Sequence, residues 1–334
     1  MNKPVTLSGM RPTGPLHLGH LHGVLENWLQ LQQKYQCFFF AADWHALTTH
    51  YEQPENIGQQ TLDMVIDWLA TGIDPKKTTI FVQSSIPAHA ELHVLLSMIT
   101  PLGWLERMPS YKEQKQKLHY KDLGTYGFLG YPLLQAADVL LYQAKYVPVG
   151  EDQQAHIELT REIARRFNFL YQQDLFQEPQ ALLTSHARFP GIDGQKMSKS
   201  YGNTISLREA PDSVQKKIKS MPTDPARVRR TDPGNPELCP VWALHRVYSE
   251  QKTRDWVTQG CTTAGIGCIQ CKQPVIDQII MRQQPIIAKV KELSADKAQV
   301  HKIIASGNAE ASAIAEQTLT QAKAVFSLFA NTSR

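Results

Sequence analysis

Read from its start, the chain opens with a short apolar run, Val5 to Leu7, followed by turn-forming residues at Gly9, Pro12, Gly14 and Pro15. From Gly19 onward, Leu21, Val24, Leu25, Trp28 and Leu29 recur at helical spacing. Two further apolar runs, Cys37 to Asp43 and Thr78 to Ser84, are separated by a helical pattern over Ile57 to Leu69. A fourth strand is expected over Lys145 to Val149, and the helix after it carries Ala155, Leu159, Ile163 and Phe167 on one face. Continuously apolar strands are buried on both faces, and strands alternating with helices build a parallel sheet. The fold class this predicts is α/β, a doubly wound parallel sheet. Between Pro87 and Tyr126 the pattern is helical and polar, with Lys112, Lys115, Lys117 and Lys121. It reads as an insertion packed over the sheet or as a subunit contact, its lysines forming a solvated face. The expected division is 1–205 for the sheet, with the insertion at about 87–126, and 206–334 for a helical second region. Helical periodicity over Val275 to Leu293 and Ala298 to Phe329 supports the latter.

Composition narrows the class without changing that picture. With 334 residues, 42% hydrophobic and 20% charged, the chain is long for one core. No apolar run approaches a membrane span, and MNKPVTLSG lacks the apolar core of a signal peptide, so a cytoplasmic location and no membrane partner are expected. A formal net charge of +4 is compatible with a polyanionic partner and does not demand one.

Chemistry concentrates in a few segments. His17 and His20 flank Gly19 where the first strand turns into a helix, a place where unpaired N–H groups and partial positive charge suit a phosphate. Gly19 would let a ligand approach the backbone. Far along the chain, Lys196, Met197, Ser198, Lys199 and Ser200 form the run KMSKS. Ligands of parallel sheets bind beyond the carboxyl ends of the strands, so Asp43, Trp44 and His45 should face the site. Asp138 is set among Leu133, Leu134, Ala136, Ala137, Val139, Leu140 and Leu141. A carboxylate buried there needs a partner, either a donor of the chain or a substrate donor such as an indole N–H. Gly150, Glu151, Asp152 and Gln153 open the helix after the fourth strand, where carboxylates can accept from ribose hydroxyls or cap the helix.

HLGH and KMSKS together resemble the two signatures of class I aminoacyl-tRNA synthetases. SGMRPTGPLHLGH, ADWHALT, YPLLQAADVLLY, VPVGEDQQAHIELTREIARRFN and KMSKSYGN resemble the tryptophanyl-tRNA synthetase family through nearly the whole chain. The resemblance implies a Rossmann-like catalytic domain, an anticodon-binding helical domain, and a Mg²⁺-dependent homodimer acting on ATP, L-tryptophan and tRNA(Trp). It implies ATP-binding roles for Arg11, Pro12, Thr13, His17, Gly19, His20, Gly150, Glu151 and Asp152, with Lys196 to Ser200 as a mobile loop over the pyrophosphate. It implies that Asp138 accepts the indole N–H and that Tyr131, Gln135, Gln153, His45 and Arg11 line the tryptophan pocket. His17, His20, Lys196 and Lys199 would carry catalysis. Arg11 and Gln135 depart from the glutamine and methionine of many members, so Arg11 faces either a phosphate or the tryptophan carboxylate. Tyrosine specificity on the same fold, a small-molecule adenylyltransferase and a non-catalytic RNA-binding paralogue are the competing readings.

Four of the five cysteines, Cys239, Cys261, Cys268 and Cys271, fall in one stretch, with 21, 6 and 2 residues between successive members. Disulfides are disfavoured in a reducing cytoplasm, which leaves either four separate buried thiols or, the favoured reading, a closed four-cysteine metal site. Spacing alone does not separate zinc from [4Fe–4S]. DPARVRRTDPGNPELCPVW and GCTTAGIGCIQCK resemble the subset of the family with a [4Fe–4S] cluster, which favours the cluster over Zn²⁺. Arg227, Arg229 and Arg230 either clamp phosphates or form a solvated cluster.

Overall fold

The apolar runs become strands β1 (Val5–Met10), β2 (Gln36–Ala41), β3 (Thr78–Val82) and β4 (Tyr146–Val149), joined by an unanticipated β5 (Gln180–Leu183). The structure, a computed structural model, describes residues 3–109, 111, 124–183 and 189–327. The strands are parallel in the order β3-β2-β1-β4-β5, with β1 registered on β2 from Val5 opposite Gln36 to Met10 opposite Ala41. Strand order therefore reverses direction at β1. The crevice between the carboxyl ends of β1 and β4 is where such a sheet offers a ligand site.

The connecting helices cover both faces. Helix α1 spans residues 18–34, π-helical over Leu21–Leu25 and α-helical on either side. It is followed by α2 (Asp43–His50), α3 (Ile57–Ala70), α4 (Ala88–Ser97), α5 (Leu102–Glu106), α6 (Tyr126–Leu141) and α7 (Gln154–Tyr171). Alternate side chains of β2 enter opposite cores. Phe39 stacks on Trp28 with centroids 4.1 Å apart, while Phe38 stacks on Tyr142 at the end of α6. Of the expected insertion, α4 and α5 are observed over the sheet, while Lys112, Lys115, Lys117 and Lys121 lie outside the described residues.

Beyond residue 205 come α8 (Pro211–Ser220), α9 (Pro240–Tyr248), α10 (Gln251–Thr262), α11 (Cys268–Ala295) and α12 (Lys297–Val325). This helical region is packed into the cores of the sheet. Val275, Ile276 and Ile279 of α11 share one buried cluster with Trp28 and Trp68, and Ala311, Ala315, Leu319 and Ala322 of α12 share the other with Phe81. Helix α12 lies against the free edge of β3. Asn308 Oδ1 accepts from the Val82 N–H at 2.9 Å, and Glu91 of α4 pairs with Lys323. A Cβ on Gly307 would stand 1.9 Å from the Ile80 carbonyl oxygen, so only glycine permits this approach. An edge strand covered in this way offers no template for another chain.

Among the described residues, no helix is long and apolar enough to cross a membrane.

Candidate active site

After β1 the chain turns through Arg11 to Leu16 and enters α1 at His17. The His17 N–H donates to His20 Nδ1 at 3.2 Å, and the two rings lie 3.8 Å apart. Burial, then the nearby Lys199, pulls His17 down to about 4, and burial with His17 and Lys199 holds His20 well below the usual imidazole range. Both rings are therefore neutral near pH 7 and can offer hydrogen bonds without charge. A Cβ on Gly19 would sit 3.0 Å from the His17 ring and 3.5 Å from Met197, so this glycine admits a neighbouring ring as well as keeping the turn bare.

The KMSKS segment lies directly over this turn. The residues after it pair with the turn itself: Leu18 N–H donates to Ile205 O at 3.0 Å and Leu207 N–H to Leu16 O at 2.9 Å. Met197 is buried and its N–H donates to Phe189 O at 2.9 Å, so its side chain is core. Buried Asn203 braces the loop, accepting from Ser198 N–H at 2.8 Å and donating to Lys196 O at 3.1 Å. Ser198 and Ser200 hydroxyls bond each other at 2.9 Å, and Lys196 is exposed. Lys199 reaches back to donate to Gly14 O at 2.7 Å. Burial, then the positive charge of Arg11, lowers its pKa to about 8 against an opposing pull from Asp67. Arg208 anchors the far end of this segment on α3, its Nε 2.7 Å from buried Asp67.

A cleft of about 350 Å³ opens at the switch point. At one end it is lined by Arg11, His20 and Gly150, at the other by His45, Tyr131, Gln135, Asp138 and Gln153. Arg11 keeps open surface along the cleft, while the protein packed round it lowers its pKa by desolvation. Glu151 and Asp152 are exposed beside the cleft, and Gln153 donates to Asp152 at 3.3 Å. His17, Pro12, Thr13 and Gly19 form the turn behind the lining. Asp43 serves the frame instead: it accepts from Trp44 and Ser84 N–H groups, each at 3.0 Å, tying the ends of β2 and β3.

The partner that Asp138 requires is supplied by the chain three times over. Oδ2 accepts from His45 at 2.8 Å, and Oδ1 accepts from Gln83 Nε2 at 2.8 Å and His89 Nδ1 at 2.6 Å. His89 Nε2 in turn meets Tyr142 OH at 2.9 Å. Burial pushes the Asp138 carboxyl up, but the bonds and charge from His45 and then His89 outweigh it and hold it below the usual carboxylate range. Gln83 and His89 carried no signal in the sequence beyond their place just past the carboxyl end of β3.

The four clustered cysteines come together at the starts of α9 and α11 and in α10, and none is in a disulfide. Burial, then the neighbouring Cys239, Cys261 and Cys268, pushes the Cys271 thiol up to about 12. Four soft donors in one another's field suit a metal group, with Lys272 close enough to offset thiolate charge. Among the described residues, however, no three His, Cys, Asp or Glu side chains are arranged to hold a single ion. Arg227 is committed to this frame, donating to Ile266 O at 2.6 Å, and Arg229 and Arg230 stay exposed.

The sheet order, the paired HLGH turn and KMSKS loop, and the cleft at the switch point agree with what known proteins show. Residues 1–283 match the family described as tRNA synthetases class I (W and Y). The chain belongs to that family. A tryptophan–tRNA ligase of Thermotoga maritima is 52% identical, the match covering 96% of this chain and 98% of the relative. One from Ralstonia nicotianae is 50% identical over the same shares. The solved tryptophanyl-tRNA synthetase of Campylobacter jejuni, complexed with ADP and tryptophan, superposes with a TM-score of 0.87 at 31% identity, covering 97% of this chain and all of that one.

Proposed function

We propose that the protein activates L-tryptophan with ATP and transfers it to the 3′ end of tRNA(Trp). The observation that carries this is one cleft joining a carboxylate-floored aromatic pocket to a cluster of cations and neutral imidazoles. A tryptophan carboxylate oxygen attacks the α-phosphorus, the bond to the β-phosphate oxygen breaks, and pyrophosphate leaves. The terminal ribose hydroxyl of the tRNA then attacks the carbonyl carbon of the adenylate, releasing AMP. No acid–base residue is needed in the first step, because the carboxylate is already the nucleophile; positioning and fixed charge do the rest. His17, Gly19 and His20 take the phosphates, Lys196 to Ser200 close on the pyrophosphate, and Pro12 and Thr13 hold the turn. Gly150, Glu151 and Asp152 surround the nucleoside. Bound with ATP, Mg²⁺ would supply further positive charge to the phosphates. Arg11, lining the cleft beside Lys199, meets the reacting carboxylate and α-phosphate. Asp138 receives the indole N–H, with Tyr131, Gln135, Gln153 and His45 around the ring. ATP–pyrophosphate exchange tests the whole reading: tryptophan alone should support it, and exchange driven by tyrosine or by no amino acid would overturn it.

The subunit state and the cysteines follow the same resemblance. Val94, Met98, Leu102 and Tyr126, on or next to α4 to α6, are exposed apolar side chains available to a second copy. Light scattering should give twice the chain mass. The four thiols are assigned a [4Fe–4S] cluster of structural purpose, supported by the likeness of their segments to cluster-bearing members. Protein purified without oxygen should be brown, and a colourless protein with one zinc per chain would reverse the assignment.

A further inference from the structure

The carboxylate of Asp138 is only 1% exposed and is held by three side chains from separate parts of the chain. Its two oxygens are not equivalent. Each can accept about two hydrogen bonds. Oδ1 already receives two, from Gln83 and His89, whereas Oδ2 receives only that of His45 among the described residues. His89 is itself fixed from behind. Tyr142 OH meets Nε2 on the far side of the ring, which keeps Nδ1 turned toward Asp138. His89 is fully buried and does not line the cleft, so it touches no ligand.

We propose that His89, with Gln83 beside it and Tyr142 behind it, is a positioning residue that saturates Oδ1 of Asp138 and so leaves one defined acceptor direction, on Oδ2, for an indole N–H. This rests on the reading that Asp138 receives that N–H. The chain supplies the three donors that fix the carboxylate, and the substrate supplies the fourth. A carboxylate freed at Oδ1 can turn about its Cβ–Cγ bond and satisfy itself on His45 alone, and the site then loses its demand for a donor. Selectivity for the N–H, more than the affinity for the ring, depends on His89.

The test compares tryptophan with its benzothienyl isostere, in which sulfur replaces the indole N–H, by ATP–pyrophosphate exchange. His89→Leu should reduce the ratio of kcat/KM values for the two by about tenfold to a hundredfold, the worth of one hydrogen bond to a charged group. His89→Asn, which keeps a donor near the Nδ1 position, should restore the ratio to within about threefold of the parent. A merely structural role would lower both substrates together and leave the ratio in place. An unchanged ratio in His89→Leu with a collapsed ratio in Asp138→Asn overturns the role of His89 and leaves the Asp138 reading standing. Unchanged ratios in both sink the Asp138 reading as well. Should His89→Leu not fold, Gln83→Leu removes the other Oδ1 donor and is judged by the same criterion.

Discussion

Lys199 is the residue whose charge the geometry makes most vulnerable. Its amine is partly buried, bonded to the Gly14 carbonyl and set near the Arg11 guanidinium, and its pKa falls to about 8. With that value, about three quarters of the molecules carry the ammonium at about pH 7.5 and about a tenth at about pH 9. A lowered base loses its proton as pH rises, so the charge proposed to meet the pyrophosphate disappears on the alkaline side. ATP binding places negative charge beside the amine, raises its pKa and takes up protons near pH 8 to 9. The kcat/KM for ATP, which reports the free enzyme, should therefore fall on an alkaline limb centred near 8. His17, already neutral down to about 4, contributes no acid limb above about pH 5. Lys199→Arg should remove the alkaline limb, because guanidinium stays charged throughout. Lys199→Ala should cost about 3–4 kcal/mol of barrier, roughly 10²–10³ in turnover. Its tryptophan affinity should change little, since the amine lies at the phosphate end. Exchange measured across pH decides the matter. An alkaline limb at the same place in Lys199→Arg, or equal losses of turnover and tryptophan affinity in Lys199→Ala, would refute the reasoning.

Three further outcomes are expected. Arg208→Ala strands buried Asp67 and should cost about 3–5 kcal/mol in denaturant unfolding. Asp67 already has its pKa raised to about 6 by burial despite Arg208, so this loss grows as pH rises through that value, and Asp67→Asn in the same chain should recover part of it. Gly307→Ala drives a Cβ into the Ile80 carbonyl, and a drop of about 1–3 kcal/mol measured by melting is expected as α12 shifts; an unchanged melt would mean the helix stands further off. Cys271→Ser should abolish any visible absorption of the anaerobic protein and lower its melting temperature while adenylate formation persists; retention of the colour would remove Cys271 from the ligand set.

β2 and β3 were legible because they are buried along nearly their whole length and are written as short apolar runs. β5 was not, since its four residues, Gln180 to Leu183, are only partly covered and carry no period. The same contrast holds at the site. That Asp138 needed donors follows from its apolar neighbours, but His89 and Gln83 stand 49 and 55 residues away, and only the packing of α4 and β3 against α6 brings them in. Lys199 was legible as a candidate phosphate contact, whereas its lowered pKa depends on burial and on Arg11. The helical character of α12 was plain. Its destination was hidden, because the face it buries is built from Gly307, Ala311 and Ala315, residues too small to draw an apolar stripe.

That last helix sets a constraint on how the molecule is made. Strand β3 leaves the ribosome well before the segment that seals its outer rim, since Val82 and Asn308 are 226 residues apart. Until that segment emerges the nascent sheet carries an unprotected border of hydrogen-bonding groups, the kind that recruits strangers. A chain cut short before residue 297 would thus lose more than its tail: it would be left permanently in that sticky, half-finished condition.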